Sequence, residues 1–188
     1  MEGVVYYGII VLLMALESSF FPFPSEVVIP PAGYLASKGE LNLLAVIFAG
    51  SLGSVLGALF NYYVSRRWGR TAVMVLGAKF GFKDSHLRRV EQFFIRHGEV
   101  TTFIGRLLPG IRQYISLPAG LGKMHLGKFI LYTAAGAGIW VIVLALIGFY
   151  VGANEVLVKQ CLAKCYPFIF GFVCVLVIGY IWLRRRYY

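Results

Sequence analysis

Charge is scarce in this chain. Only 14% of its 188 residues are Asp, Glu, Lys or Arg, where a soluble domain carries about 25%. So few charges cannot cover a water-facing surface, and 59% of the residues are hydrophobic. The chain is therefore read as an integral membrane protein. Acidic residues are rarer still, 8 against 18 Lys and Arg, for a net charge of +10. In a membrane protein that excess points to the positive-inside rule and to anionic lipid contact. No nucleic-acid-binding motif accompanies it, so no nucleic-acid partner is expected. Cysteine and histidine number three each. Cys161 and Cys165 lie one helical turn apart, but with Cys174 they form no metal motif, and His86, His97 and His125 have no ligand spacing. No metal and no cofactor are expected. Ser-His-Asp and P-loop patterns are missing as well. A lipid phosphatase needs a nucleophile or base beside its phosphate, commonly a histidine. His97 and His125 stand in no such signature, so an enzyme is not expected.

A long apolar run is also missing at the start. Residues 4–16 are apolar but only 13 long, short of the ~20 that a span needs. Glu2 is the sole charge before Glu17, so the segment lacks the basic region of a signal peptide.

What the chain does carry is a charged, proline-broken stretch in apolar sequence. Residues 103–120 read Phe-Ile-Gly-Arg-Leu-Leu-Pro-Gly-Ile-Arg-Gln-Tyr-Ile-Ser-Leu-Pro-Ala-Gly. Arg106 and Arg112 sit among Pro109, Gly110, Pro118 and Gly120. In lipid, irregular backbone persists only where protein buries it or a wet cavity adjoins it, and charges at that depth mark a functional site. The stretch is read as a re-entrant helical hairpin rather than a solvated loop. An echo stands upstream. Pro22 is followed nine residues later by Pro31-Ala32-Gly33, as Pro109 is by Pro118-Ala119-Gly120, and the copies are 87 residues apart. Pro24 lies within the first copy. That copy carries Glu17 and Glu26, the second carries Arg106 and Arg112. Paired interrupted segments point to a transporter's central site.

In chain order, residues 4–37 form the first hairpin, with its return arm at 27–37. Residues 41–64 form a span in which Gly53 and Gly57 make a Gly-x-x-x-Gly that lets another backbone approach. Residues 65–97 form a basic cytoplasmic loop. In it an amphipathic helix runs from Asp84 or Ser85 to about His97, with Gly98 as its stop and Leu87, Val90, Phe93 and Phe94 as its apolar face. Residues 98–122 form the second hairpin, and 129–152 and 167–183 are further spans. Thirteen Lys/Arg fall in 65–97, 123–128 and 184–186, against three in 1–3, 38–40 and 153–166. That bias puts the 65–97 loop and the C-terminus in the cytoplasm. The expected fold is one all-α polytopic membrane domain over 1–188, with about three transmembrane helices and two opposed re-entrant hairpins in an inverted repeat.

Facing hairpins would bring Glu17, Glu26, Arg106 and Arg112 together near mid-membrane. Buried charges persist when paired or hydrated, so one reading is a pair of structural salt bridges. The other is a seat for an anionic head group, because arginine's planar fork binds phosphate bidentately. Phe20, Phe21, Phe23, Leu107, Leu108 and Ile111 would then leave acyl or prenyl chains in lipid.

These residues resemble the DedA family of bacterial inner-membrane proteins, also called the SNARE-associated or VTT domain family. The motifs are Glu17-Ser-Ser-x-x-Pro22-x-Pro24-Ser-Glu26, Pro31-Ala-Gly33, Phe103-x-Gly-Arg106-x-x-Pro109-Gly-x-Arg112, then Ala119-Gly120 and Met124. Gly53-x-x-x-Gly57 and Tyr62-Tyr-x-x-Arg66-Arg-x-Gly69 match between them. The resemblance covers nearly the whole chain. It implies opposed re-entrant hairpins and transport of a lipid such as undecaprenyl phosphate or phosphatidylethanolamine. Glu17 or Glu26 would be the functional acids and Arg106 with Arg112 the essential bases. Many members carry Asp after the second glycine of the Gly-x-x-x-Gly helix. Here that residue is Ala58, and Asn61 stands where a small residue is common, which puts proton coupling in question. The expected activity is lipid transport in the bacterial inner membrane, with membrane lipids as partners and an oligomer compatible. The alternatives are a proton-coupled transporter of small cations or drugs and a structural membrane protein.

Overall fold

A computed structural model describes residues 2–19, 25–69, 84–108 and 110–151, with single positions at 71, 156, 167, 171, 174 and 178. Every regular element among the described residues is helical. Helix α1 covers Glu2–Glu17. A 3-10 turn at Ser25–Val27 leads into α2, Ile29–Ser37. Pro30 and Pro31 stand in the first turn of α2, where backbone N–H groups have no helical acceptor and a missing one costs little. Helix α3, Leu43–Val64, begins where the Asn42 side chain accepts from the Ala45 N–H. It ends in a π-helical turn, Ser65–Gly69. Helices α4 (Asp84–Leu107), α5 (Ser116–Leu121) and α6 (Leu126–Val151) follow.

Helices α3 and α6 are long and apolar enough to cross a membrane. Their outer faces suit lipid. Helix α3 exposes Leu44, Phe48, Leu52, Leu56 and Phe60 in one stripe, and α6 exposes Leu131, Ile139, Ile142, Leu146 and Tyr150. In water these stripes would be a large uncovered apolar surface. Mixed with the buried charges below, they define a membrane protein.

The packing is crossed. Helix α1 lies along α3 and α4 along α6, while α2 packs on α6 and α5 on α3. Small residues make the crossings close. A Cβ at Gly33 would strike the Ala145 carbonyl oxygen of α6, and one at Gly120 would strike the Tyr62 carbonyl oxygen of α3. The two Pro-Ala-Gly copies thus play one role on opposite long helices. Gly53 and Gly57 likewise admit α1, since a Cβ on Gly57 would meet the Ala15 carbonyl oxygen and stand 2.9 Å from Ser18 Cβ. Gly57→Val is expected to lower stability by about 1–3 kcal/mol or more through overpacking. Gly8→Ala, where nothing lies within 4 Å, is expected to raise it by up to about 1 kcal/mol, because a helix interior favours Ala over Gly. Thermal melting of the purified protein in detergent reads both.

One sequence expectation is corrected. The amphipathic helix does not stop at Gly98; α4 runs unbroken from Asp84 to Leu107. Gly98 is buried, and a Cβ there would stand 3.1 Å from Met124 Sδ, so this glycine admits a neighbour rather than ending a helix. The expected apolar face also splits: Phe94 is buried and Phe93 exposed. Pro22, Pro24, Pro109 and, single positions apart, the expected span at 167–183 lie outside the described residues.

Candidate functional site

Helix α1 ends on Glu17, the 3-10 turn carries Ser25 and Glu26, and the turn between α4 and α5 carries Arg112. Gly110 opens that turn with φ +81°, a left-handed conformation that glycine adopts without strain. The Arg112 N–H donates to the Leu108 carbonyl and that of Ile115 to Ile111, so the turn is internally bonded and aims Arg112 inward. Arg112 is 9% exposed and Glu17 is 3% exposed.

Three acceptors converge on Arg112 Nη2. Ser25 Oγ accepts at 2.8 Å and Glu26 Oε1 at 3.3 Å. Glu17 Oε1 lies 3.0 Å away as an ion pair whose alignment falls short of a hydrogen bond. The guanidinium also sits 5.0 Å from the centre of the Trp140 ring, a cation–π distance. Trp140 Nε1 donates to the same Ser25 Oγ at 3.4 Å. Ser18 Oγ donates to Glu17 Oε2 at 2.9 Å.

Arg106 is placed differently. It comes from the last turn of α4, is 2% exposed, and donates through Nη2 to Ser116 Oγ at 2.7 Å. Its Nε has no hydrogen-bond partner among the described residues. Gly136 of α6 makes room for it, since a Cβ there would stand 2.6 Å from Arg106 Cβ. Arg106, Arg112, Glu17, Ser18, Ser54 and Trp140 line one cavity of about 10 Å³, room for about one water. Two guanidinium groups and a carboxylate therefore share one small chamber, which Met14, Ala137 and Val141 also wall.

The structure thus brings Glu17, Glu26 and Arg112 into direct contact and sets Arg106 beside them without an ion pair of its own among the described residues. Sequence reasoning missed Ser25, Ser116, Trp140 and the use of Asn61. Ser25 was findable: it stands 87 residues before Arg112, the offset of the repeat. Trp140 also left a signal, because tryptophan belongs at membrane interfaces and this one is mid-helix. Asn61, 1% exposed on α3, donates through Nδ2 to the carbonyls of Ser18 at 3.1 Å and Gln113 at 3.4 Å. These are the residues directly after Glu17 and Arg112, so one amide sets both halves of the ion pair. Asn61→Leu is expected to cost about 1–3 kcal/mol by orphaning the buried Ser18 carbonyl and the part-buried Gln113 carbonyl. Asn61→Asp should cost more, because a carboxylate cannot donate to them. Melting temperatures compared with wild type would show that order, and equal values would refute the clip.

Helices with lipid-compatible faces around a closed cluster of paired charges define an α-helical membrane protein built about a buried polar centre. A VTT domain model matches residues 23–150, and the chain belongs to the VTT domain family. The match encloses Glu26, Arg106 and Arg112, and Glu17 precedes it. A Lactococcus lactis protein named "Alkaline phosphatase-like protein" is 34% identical over 97% of this chain and 88% of its own length. Undecaprenyl phosphate transporter A of Bacillus subtilis is 30% identical over 70% of this chain and 66% of its own. Protein DedA of Escherichia coli is 29% identical over 80% and 70%. No solved structure matches.

Proposed function

We propose that this protein translocates a lipid phosphate or a phospholipid across the bacterial inner membrane, with the head group held by Arg112 and Arg106 opposite Glu17 and Glu26. The observation that carries it is the buried Arg112, met by two carboxylates in a membrane protein. Carboxylate and phosphate oxygens present the same acceptors to a guanidinium, so the glutamates are internal stand-ins for the cargo. A cavity of about 10 Å³ is too small for a head group. The arrangement is accordingly a closed form, and translocation requires the carboxylates to leave the arginines; protonating them is one route, which would couple transport to protons. Two guanidinium groups in the chamber disfavour a small cation as cargo.

Residues 4–37 and 98–122 are read as re-entrant hairpins entering from opposite faces of one domain, with the C-terminus cytoplasmic. The crossed packing supports an inverted repeat. So does the bond between Ser25 and Arg112, which occupy equivalent positions of the two copies. Equivalent positions of a two-fold pair touch only near the axis, so the axis would pass through the site. The relative named as an undecaprenyl phosphate transporter agrees with this cargo class.

The test is a proteoliposome assay following labelled polyprenyl phosphate and phosphatidylethanolamine. Wild type is expected to move at least one of them, and Glu26→Gln to alter the response to a pH gradient. No movement by folded wild type, with or without the gradient, would overturn the proposal. Release of inorganic phosphate in place of movement would establish a hydrolase instead.

A further inference from the structure

Helices α1 and α2 pack chiefly on α3 and α6, and Ile10 and Met14 of α1 share one buried core with Ile29 and Ala32 of α2. The faces they turn toward one another are apolar and bracket an open groove of about 210 Å³. Tyr6, Ile10 and Leu13 line it from α1, and Val28, Pro31 and Leu35 from the α2 side, each set at the spacing of one helix face. At one end Val27 and Val28 directly follow Glu26, whose carboxylate accepts from Arg112 at 3.3 Å. Around it α1 exposes Val4, Val5, Leu12 and Leu16, a surface that belongs in hydrocarbon. Water gains nothing in such a groove, whereas the bilayer supplies chains that do.

We infer that this groove seats the head-proximal part of the hydrocarbon tail of the lipid whose head group the arginines hold. The inference rests on the transport reading above and adds where the tail goes. A groove of about 210 Å³ is smaller than a pocket for a whole small ligand, roughly 300–1,000 Å³. It takes the first stretch of one chain, and the remainder stays in the bilayer. A polyprenyl phosphate then seats the head end of its single chain, while a two-chained phospholipid seats one chain and leaves its second outside.

The experiment uses the full chain in proteoliposomes with a polyprenyl phosphate and a phosphatidylethanolamine, each carrying a photoactivatable diazirine near the head end of the tail. Adducts are mapped by mass spectrometry and translocation is measured in parallel. Adducts are expected to concentrate on residues 6–13 and 27–35, with the exposed faces at Phe48 and Leu131 at background, and the lipid that labels identifies the tail class. Val27→Trp and Leu35→Trp fill the groove and are expected to remove the adducts and slow translocation on the order of tenfold, the loss of burial of about two methylene groups. Adducts spread evenly over α1, α3 and α6 mean bulk-lipid contact only and overturn the inference, as do filled variants that melt like wild type yet keep adducts and rate. Groove adducts without translocation of either lipid sink the transport reading alone. Translocation with scattered adducts sinks the groove alone.

Discussion

Arg112→Lys is expected to leave the protein folded and to cut lipid translocation roughly ten- to a hundredfold, the worth of one charge-assisted hydrogen bond of about 1.5–3 kcal/mol. The reason is that folding and transport ask different things of this residue. In the closed form the contacts to Ser25, Glu26 and Glu17 all fall on Nη2. A single nitrogen with three N–H groups can meet them, and an ammonium beside Trp140 keeps a cation–π contact. A phosphate makes a different demand. It is recognised by two parallel N–H donors of a planar fork, which lysine lacks. Proteoliposome translocation alongside thermal melting separates the two. A lysine variant that melts normally and transports at the wild-type rate would remove the head-group role from Arg112 and leave it a brace.

Glu17→Leu is expected to be the most destabilising change at the site, by about 3–5 kcal/mol, because removing one partner of a buried pair leaves the other charge uncompensated. Glu17 is 3% exposed and stands 3.0 Å from Arg112. Arg106 shares its cavity and has no carboxylate bonded to it among the described residues. Without Glu17 the chamber holds two guanidinium groups, and among the described residues the half-buried Glu26 beside Arg112 is the carboxylate left to offset them. At about 2–4 °C per kcal/mol for a chain of this size, melting should fall by roughly 6–20 °C. The double variant Glu17→Leu/Arg112→Leu is expected to recover part of that loss, since well-packed apolar groups often replace a buried pair without penalty. Recovery stays partial because Arg106 remains. A Glu17→Leu protein that melts within about a degree of wild type would show that the pair does not hold the two segments together.

The long helices were legible because their signal is local. Residues 41–64 and 129–152 stand as Leu43–Val64 and Leu126–Val151; an apolar run long enough for a bilayer has few other forms open to it. Gly53 and Gly57 were legible as packing residues for the same reason, since a bare stripe on an apolar helix has little other use. Gly98 misled. A glycine after a charged helix reads as a stop, and only Met124, 26 positions along the chain, shows that it admits a neighbour instead.

Composition and spacing by themselves determined that this chain lives in a membrane, that it is helical, and that four charges are set against its apolar sequence in two echoing segments. All of that follows from near neighbours and from solvent preference, which a sequence records directly. The tertiary structure alone decided how the charges are shared. It gave both carboxylates to Arg112, left Arg106 to Ser116, and drew Ser25, Asn61 and Trp140 into the cluster. Those partners are set by which backbones approach closely enough to cross, a property of the packed helices that no single segment carries.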